Sequence, residues 1–281
     1  MSRSLFPPDE LGMKQLRQGV TNLAARLFRS PRGQHFLDRV ASRIDFWRGY
    51  GSGVYLESSG EIVLFDLVRR RNATEKTVIF DVGANVGEFS AAAFQALGAH
   101  ITVHAFEPAR EVFQRISSRF KGNDRIILNN VAVGQEAGER PLFGVAHDSG
   151  MASLIQRKFG DKVISTFQEP VKVVRLSDYC TARGIERIDL LKTDVEGFEL
   201  EVFRGAESLF KNQRIDICSF EFGGCNLDSR TFLRDFFDFF QTHQMEIFRI
   251  TPAATLVPLP RYSEQLENFA TTNYVAVCQT Q

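Results

Sequence analysis

Acidic and glycine residues follow one strongly apolar segment of the chain. The segment Thr77–Gly87 reads Thr-Val-Ile-Phe-Asp-Val-Gly-Ala-Asn-Val-Gly, so that Asp81 comes shortly before Gly83. Glycines let a loop turn sharply, expose its amides and pack a helix onto a sheet, as ligand-binding loops do. A Walker A loop is excluded because no Lys-Ser or Lys-Thr follows, and the Gly-x-Gly-x-x-Gly spacing of dinucleotide-binding loops is absent.

The carboxylate of Asp81 narrows the class of ligand. It would repel a pyrophosphate, which favours neutral amides and a free helix N-terminus, and it suits a cation or an amine. S-Adenosylmethionine carries a sulfonium and an amino group, so it fits this loop better than NAD does. An NAD-dependent oxidoreductase on a related sheet remains one alternative, and a cofactor-binding module without catalysis remains another.

Polar residues also end the next two strand-like segments. Glu107 lies 20 residues after Gly87, close to the separation at which an acid accepts hydrogen bonds from ribose hydroxyls. Asn130 and Val131 end the third segment, where they could flank an adenine ring. An ordinary buried strand explains these last two residues equally well.

Three further carboxylates are the candidates for catalysis. Asp194 and Glu196 follow the fourth segment, and Glu221 ends the fifth between two phenylalanines, where a carboxylate is costly to bury without a partner. Strand ends at one edge of an open α/β sheet form its ligand crevice, so these acids are expected near Asp81. They could act as acids and bases, or Asp194 and Glu221 could bind a magnesium-like ion. Capping of the following helix is the non-functional explanation of Asp194 and Glu196.

Strand-like and helix-like segments alternate from Thr77 onward. This alternation predicts an α/β fold with a mostly parallel sheet and helices on both faces. Strands are expected at 77–82, 101–107, 126–133, 187–193, 215–222, 245–250 and 273–278, and helices at 88–97, 109–120, 177–184, 198–210 and 229–243. A polar insertion at 139–174, with short strands at 140–145 and 171–175, is expected to contact the substrate.

The N-terminal part of the chain has a different pattern. Apolar residues at helical spacing among arginines predict two amphipathic helices, at 11–28 and 36–46. Such helices usually pack against the protein itself or a second subunit, and binding to an anionic membrane is the alternative. A glycine-rich linker with a short strand near 54–57 follows. We therefore divide the chain into an N-terminal helical extension, 1–50, and one α/β domain, 51–281.

Composition restricts the partners and the compartment. The 34 basic and 34 acidic residues cancel, which argues against a nucleic-acid partner. The four cysteines are scattered and form no Cys-x-x-Cys pair, which disfavours disulfides and structural zinc. No segment has the apolar length of a signal peptide or membrane span, so a cytoplasmic protein is expected. Phenylalanines between Phe232 and Phe240 recur at helical spacing and are expected in the core or in a homodimer contact.

Taken together, the motifs resemble those of the FkbM family of S-adenosylmethionine-dependent methyltransferases. The likeness extends from about Ile62 to Val277 and rests on Asp-Val-Gly-Ala-Asn-Val-Gly, Phe-Glu-Pro, Asn-Val-Ala-Val-Gly, Leu-Ser-Asp-Tyr, Leu-Leu-Lys-Thr-Asp-Val-Glu-Gly-Phe-Glu, Arg-Gly-Ala and Asn-Tyr. It implies the class I methyltransferase fold, a Rossmann-like sheet of seven strands. It also implies methyl transfer to a hydroxyl of a small-molecule or glycan acceptor, such as a sugar or a natural product.

The resemblance assigns roles to individual residues. Asp194 would lie between cofactor and acceptor as the base or as the group that orients the acceptor, supported by Glu196 and Glu221. Thr193 departs from the isoleucine that is common in the family. The cofactor would be held by Asp81, Gly83, Ala84, Asn85 and Gly87 around its methionine part, by Glu107 beside Pro108 at the ribose, and by Asn130 and Val131 at the adenine.

Overall fold

A computed structural model describes residues 28–53, 55–71, 76–145, 152–159, 162–163 and 165–279. Its contacts divide the chain into two units, Met1–Phe46 and Trp47–Gln281. The predicted helix at 11–28 lies almost wholly outside the described residues. The second predicted amphipathic helix is confirmed as α1, Pro31–Arg48, which has no buried residue.

The other helices all belong to the second unit. Numbered in chain order, they are α2 Leu56–Ser59, α3 Val63–Arg71, α4 Glu88–Leu97, α5 Arg110–Arg119, α6 Leu176–Arg183, α7 Glu199–Gly205, α8 Glu207–Lys211, α9 Cys225–Ser229 and α10 Leu233–Thr242. None of the described helices has the length and hydrophobicity that a membrane span requires.

The described strands lie in the second unit as well. They are β1 Thr77–Val82, β2 Ile101–Phe106, β3 Ile126–Asn129, β4 Ala132–Val133, β5 Gly138–Gly144, β6 Lys158–Phe159, β7 Lys162–Val163, β8 Phe167–Val174, β9 Ile188–Thr193, β10 Ile215–Phe222, β11 Met245–Ile250, β12 Leu256–Pro258 and β13 Thr272–Cys278. Their richness in β-branched and aromatic residues, as in Thr-Val-Ile-Phe of β1, favours the extended backbone.

The central sheet has the order β12-β11-β13-β10-β9-β1-β2-β3. Strands β3, β2, β1, β9 and β10 run parallel, and β13 is antiparallel to both of its neighbours. The chain leaves β1 toward β2 and β3 on one side and later returns to β9 and β10 on the other. The gap between the ends of β1 and β9 is therefore the switch point at which open α/β sheets bind ligands.

The α/β prediction is confirmed, but the sheet has eight strands and not seven. The additional strand is β12, which pairs antiparallel with β11 at the sheet edge. It has only three residues and ends in Pro258, and proline is tolerated at an edge because no ladder hydrogen bond is lost there. So short a strand lacks the alternating pattern that predicts longer ones.

Three local predictions were also wrong. The short strand expected near 54–57 is replaced by the helical turn α2, which ends at Gly60 in the left-handed region with φ +77°. The helix expected at 198–210 is divided at Ala206 into α7 and α8. The strand expected at 126–133 is split, because β4 leaves the central sheet and pairs with β8 of the insertion.

Each face of the sheet is covered by apolar side chains. One face packs against α10, whose Phe236, Phe237 and Phe240 are fully buried. The other face packs against α3 and α4, with Phe65 and Phe89 in contact. The prediction that the phenylalanines between Phe232 and Phe240 lie in the core is therefore confirmed for these three residues of α10.

Candidate functional site

The loop after β1 is built into the switch point. Gly83 has φ +82°, and a Cβ atom at this position would overlap the backbone carbonyl oxygen of Asp194. The amide N–H of Asp194 donates to the Val82 carbonyl at 3.0 Å. A side chain at residue 83 would separate the two segments, so glycine is required for this close approach.

Glu107 connects the glycine loop to the end of β2. Its Oε2 accepts a hydrogen bond from the Asn85 N–H at 2.9 Å, and its Oε1 accepts one from the Ala109 N–H at 2.8 Å. Burial raises the pKa of Glu107 to about 7, and the two backbone donors oppose that shift. The carboxyl group is thus held at both oxygens and changes charge near neutral pH.

A first cleft opens beside this loop. Apolar side chains form most of its wall, and its polar groups are few, as is usual for small-molecule sites. The lining residues include Gly83, Asn85, Glu107, Pro108, Val131, Leu142, Ala152, Ser153, Leu154, Asp194 and Phe198. The structure thus brings six of the residues assigned to the cofactor to one cleft, together with part of the insertion.

The remaining assigned residues lie outside this cleft. Asn130 donates from Nδ2 to the carbonyls of Glu107 and Pro108, at 2.9 and 3.0 Å, and so fixes the turn after β2. At Gly87, φ is +80° and a Cβ would overlap the Phe120 ring, so this glycine allows α4 to pack on α5.

Asp81 is fully buried beneath the loop. Its Oδ2 accepts a hydrogen bond from Ser90 Oγ at 2.6 Å, and its Oδ1 has no partner among the described residues. Burial raises the pKa of Asp81, while Lys192 nearby opposes the shift. The side chain therefore supports the loop and the start of α4 from below.

A second cavity lies on the other side of the same loop. It is lined by Gly53, Leu56, Glu61, Gly83, Ala84, Asn85, Val86, Glu88, Phe89, Lys192 and Asp194. Because Gly83, Asn85 and Asp194 also line the first cleft, the two cavities meet at the loop. Ala84 is assigned to the cofactor and lines only this second cavity.

Lys192 is the buried cation of the second cavity. Its Nζ donates to Asp194 Oδ2 at 3.0 Å. Burial alone would lower its pKa, but the carboxylates of Asp194, Asp81 and Glu61 raise the pKa above the usual range. The sequence analysis missed both Lys192 and Glu61, although a lysine within the apolar segment Ile-Asp-Leu-Leu-Lys-Thr was a usable signal.

Glu196 and Glu221 lie beyond Asp194. Glu196, with φ +56°, accepts hydrogen bonds at Oε2 from Arg157 Nη1 at 3.0 Å and from Cys225 Sγ at 2.7 Å. Burial and then the acids Asp194, Glu196 and Glu199 raise the pKa of Glu221 well above its usual value. The surroundings of Glu221 thus favour its protonated form.

In the described part of the chain, the predicted metal ligands Asp194 and Glu221 do not belong to one group of three ligands. Within the described residues, the group with ligand atoms close enough for an ion is Glu196, Glu221 and Cys225, all within 4.8 Å of one another, and Asp194 is not in it. Magnesium takes oxygen ligands in an octahedron. In this group, burial raises the pKa of the Cys225 thiol, and the Glu196 carboxylate is already paired with Arg157. The residues present do not fit magnesium.

The turn after β9 is closed by a residue that the sequence analysis missed. Glu199 is buried, and its Oε1 accepts hydrogen bonds from the N–H groups of Val195 and Gly197, at 3.0 and 3.2 Å. Burial raises the pKa of Glu199 to about 8. The side chain that satisfies the amides before α7 is therefore Glu199, which leaves Asp194 available for other contacts.

Comparison with known proteins identifies the family. Residues 81–246 match the Methyltransferase FkbM domain, which is more than half of the chain. The chain belongs to the FkbM methyltransferase family. The resemblance noted in the sequence is therefore confirmed, and the strand order described above is that of a class I methyltransferase. Glu61 lies outside the matched residues.

Several FkbM-family relatives have curated names. The 31-O-demethyl-FK506 methyltransferase FkbM of Streptomyces tacrolimicus is 33% identical over 46% of this chain and 59% of its own length. Methyltransferase sdnD of Sordaria araneosa is 29% identical over 48% and 62%, and the 2-O-methyltransferase NoeI of Sinorhizobium fredii is 30% identical over 49% and 60%. The chain thus spans about three fifths of these relatives.

Proposed function

We propose that this protein transfers a methyl group from S-adenosylmethionine to a hydroxyl group of a sugar, a glycan or a natural product. The observation that carries the proposal is the meeting of the two cavities at the glycine loop, with Glu107 in the first and Asp194 at the junction. Two relatives are named for transfer to oxygen, the 31-O-demethyl-FK506 methyltransferase and the 2-O-methyltransferase NoeI.

The residues present fit the cofactor. The loop at Gly83 has no room for a side chain, Val131 offers an apolar surface for an adenine, and Glu107 offers a carboxyl group for two ribose hydroxyls. Asp81 is buried, and its Oδ1 has no hydrogen-bond partner in the described part of the chain. This carboxyl group and the acids of the second cavity favour a cationic ligand over a pyrophosphate. When bound, S-adenosylmethionine supplies an electrophilic methyl group on a sulfonium.

Asp194 is the group that we assign to the acceptor hydroxyl. Its side chain is 38% exposed and faces both cavities. Lys192 holds Oδ2, so Oδ1 is left to accept the proton of a hydroxyl as the oxygen attacks. The remaining contribution is positioning, because loop and base are joined through the backbone at Gly83.

Glu196 and Glu221 receive supporting roles. Glu196 orients Arg157 and the insertion, since Ser153 Oγ also donates to the Glu196 carbonyl at 2.8 Å. Burial favours the protonated form of Glu221. In that form the side chain can donate a hydrogen bond to an acceptor oxygen, which an ionised carboxylate cannot do. We therefore assign both residues to acceptor binding rather than to proton removal.

The test is calorimetric titration with S-adenosylhomocysteine. We expect micromolar affinity for the wild type, a roughly 10- to 100-fold loss in Glu107→Ala, and no change in Glu111→Ala, which removes an exposed acid from α5. Transfer of labelled methyl groups to simple glycosides and polyhydroxylated natural products then identifies the acceptor. Binding of NADH without any binding of S-adenosylhomocysteine would contradict the proposal.

A further inference from the structure

Glu61 is a buried carboxylate in the second cavity with no role so far. It lies in the turn between α2 and α3 and is 7% exposed. The match to the family domain begins only at residue 81. A buried acid that faces a cavity requires a partner, because desolvation of its charge is costly.

The turn that carries Glu61 is held rigidly. Ser59 Oγ donates to Glu61 Oε2 at 3.0 Å, and the Glu61 N–H donates to Ser59 Oγ at 3.3 Å. Gly60 has φ +77°, and a Cβ there would overlap the carbonyl oxygen of Thr251, which follows β11. The sheet therefore fixes the position of this carboxylate before any ligand arrives.

Acidic side chains outnumber basic ones around Glu61. Glu61, Asp81 and Asp194 all act electrostatically on one ammonium group, that of Lys192. Asp81 and Lys192 are register partners on β1 and β9, so their side chains leave the sheet on the same face. Asp81 is fully buried and its Oδ1 has no partner among the described residues. Burial raises the pKa of both Glu61 and Asp81, so a second positive charge in this cavity would favour the ionised forms of these acids.

We propose that Glu61 determines cofactor specificity by binding the α-ammonium group at the amino-acid end of the cofactor. This inference rests on the proposed function, which puts the adenosine end in the first cleft. A ligand that crosses the loop from Glu107 enters the second cavity, where Gly83, Asn85 and Asp194 form the shared wall. Its amino-acid end then meets Glu61 and supplies that second positive charge.

Three ligands and matched variants test the inference by calorimetry. S-Adenosylhomocysteine has both the ammonium and the carboxylate, its decarboxylated analogue keeps the ammonium, and methylthioadenosine has neither. In Glu61→Gln we expect roughly 10- to 100-fold weaker binding of the first two and affinity for methylthioadenosine within about twofold of wild type. Asp66→Asn, which removes an exposed acid from α3, should bind all three as the wild type does.

The outcomes separate this inference from the proposed function. If Glu61→Gln binds S-adenosylhomocysteine as tightly as the wild type while Glu107→Ala does not, the role of Glu61 is wrong and the proposed function stands. An equal loss of affinity for all three ligands also contradicts the role of Glu61, because the substitution would then have disturbed the structure as a whole. If the wild type binds none of them, both fail. If Glu61→Gln does not fold, Glu61→Asp is tested instead. We then expect a smaller loss of affinity, and only for the two ligands that carry the ammonium group.

Discussion

The two cavities on either side of the glycine loop differ in chemistry although they share three wall residues. The first is mainly apolar, and its single buried acid, Glu107, is held by backbone N–H groups. The second contains several charged side chains, which are Glu61, Glu88, Lys192 and Asp194. The first cleft favours a neutral ring system as its ligand, and the second cavity favours a zwitterion or a reacting hydroxyl group. The difference supports our proposal that the adenosine is recognised in the first cleft and that the chemistry takes place beside the second cavity.

The strongest test of this division is Asp194→Asn. The substitution removes the proposed proton acceptor and keeps the size of the side chain, so we expect turnover to fall by roughly 10²- to 10⁴-fold. Affinity for S-adenosylhomocysteine should fall by less than the roughly 10-fold expected for Glu61→Gln, because Lys192 already pairs with Asp194. Turnover and calorimetry on the same preparation measure both, and wild-type turnover would remove Asp194 from the mechanism.

The substitution Gly83→Ala tests the backbone contact between the two cavities. The added Cβ would overlap the Asp194 carbonyl, and φ +82° is unfavourable for alanine, so we expect a loss of roughly 2–4 kcal/mol in the free energy of unfolding. Gly184→Ala is the matched control, since Gly184 has φ +63° and open space around it; its cost should be about 1 kcal/mol. Equal losses in urea unfolding would show that strain, and not the contact, is responsible.

The first cleft also predicts a pH dependence of stability. The pKa of Glu107 is raised from 4.5 to about 7 by burial, so between these values the folded state binds more protons than the unfolded state. Stability therefore falls as pH rises from about 4.5 to 7. In Glu107→Gln this part of the slope should be absent, a difference of a few kcal/mol at most. Urea unfolding of both proteins at several pH values measures it, and parallel curves would contradict the prediction.

The smallest effect concerns metal removal. Because Arg157 and Cys225 already pair with Glu196, and Asp194 pairs with Lys192, we expect methyl transfer to be unchanged in EDTA. Addition of magnesium should have no effect either. Loss of turnover in EDTA that magnesium restores would revive the metal role of Asp194 and Glu221.

Motifs within single strands and loops could be predicted from the sequence, and contacts between distant segments could not. The loop at Gly83 and the acids Glu107 and Asp194 follow apolar strands, and the parallel topology alone brings strand ends together. Glu61 is placed in the second cavity by the close contact between Gly60 and Thr251. These residues are far apart in the sequence, so no local sequence pattern predicts their contact. Hydrogen-bond partners also depend on rotamers and burial, so the closing role of Glu199 was not visible in its motif.

The missing side chain at Gly83 has a consequence for motion. Where two segments touch through side chains, rotamer changes let the distance between them fluctuate. Here the backbone of the loop rests directly on the backbone of the Asp194 segment. In the proposed reaction, a displacement of the loop would therefore move the methyl donor and Asp194 together, which would keep the two aligned for in-line transfer.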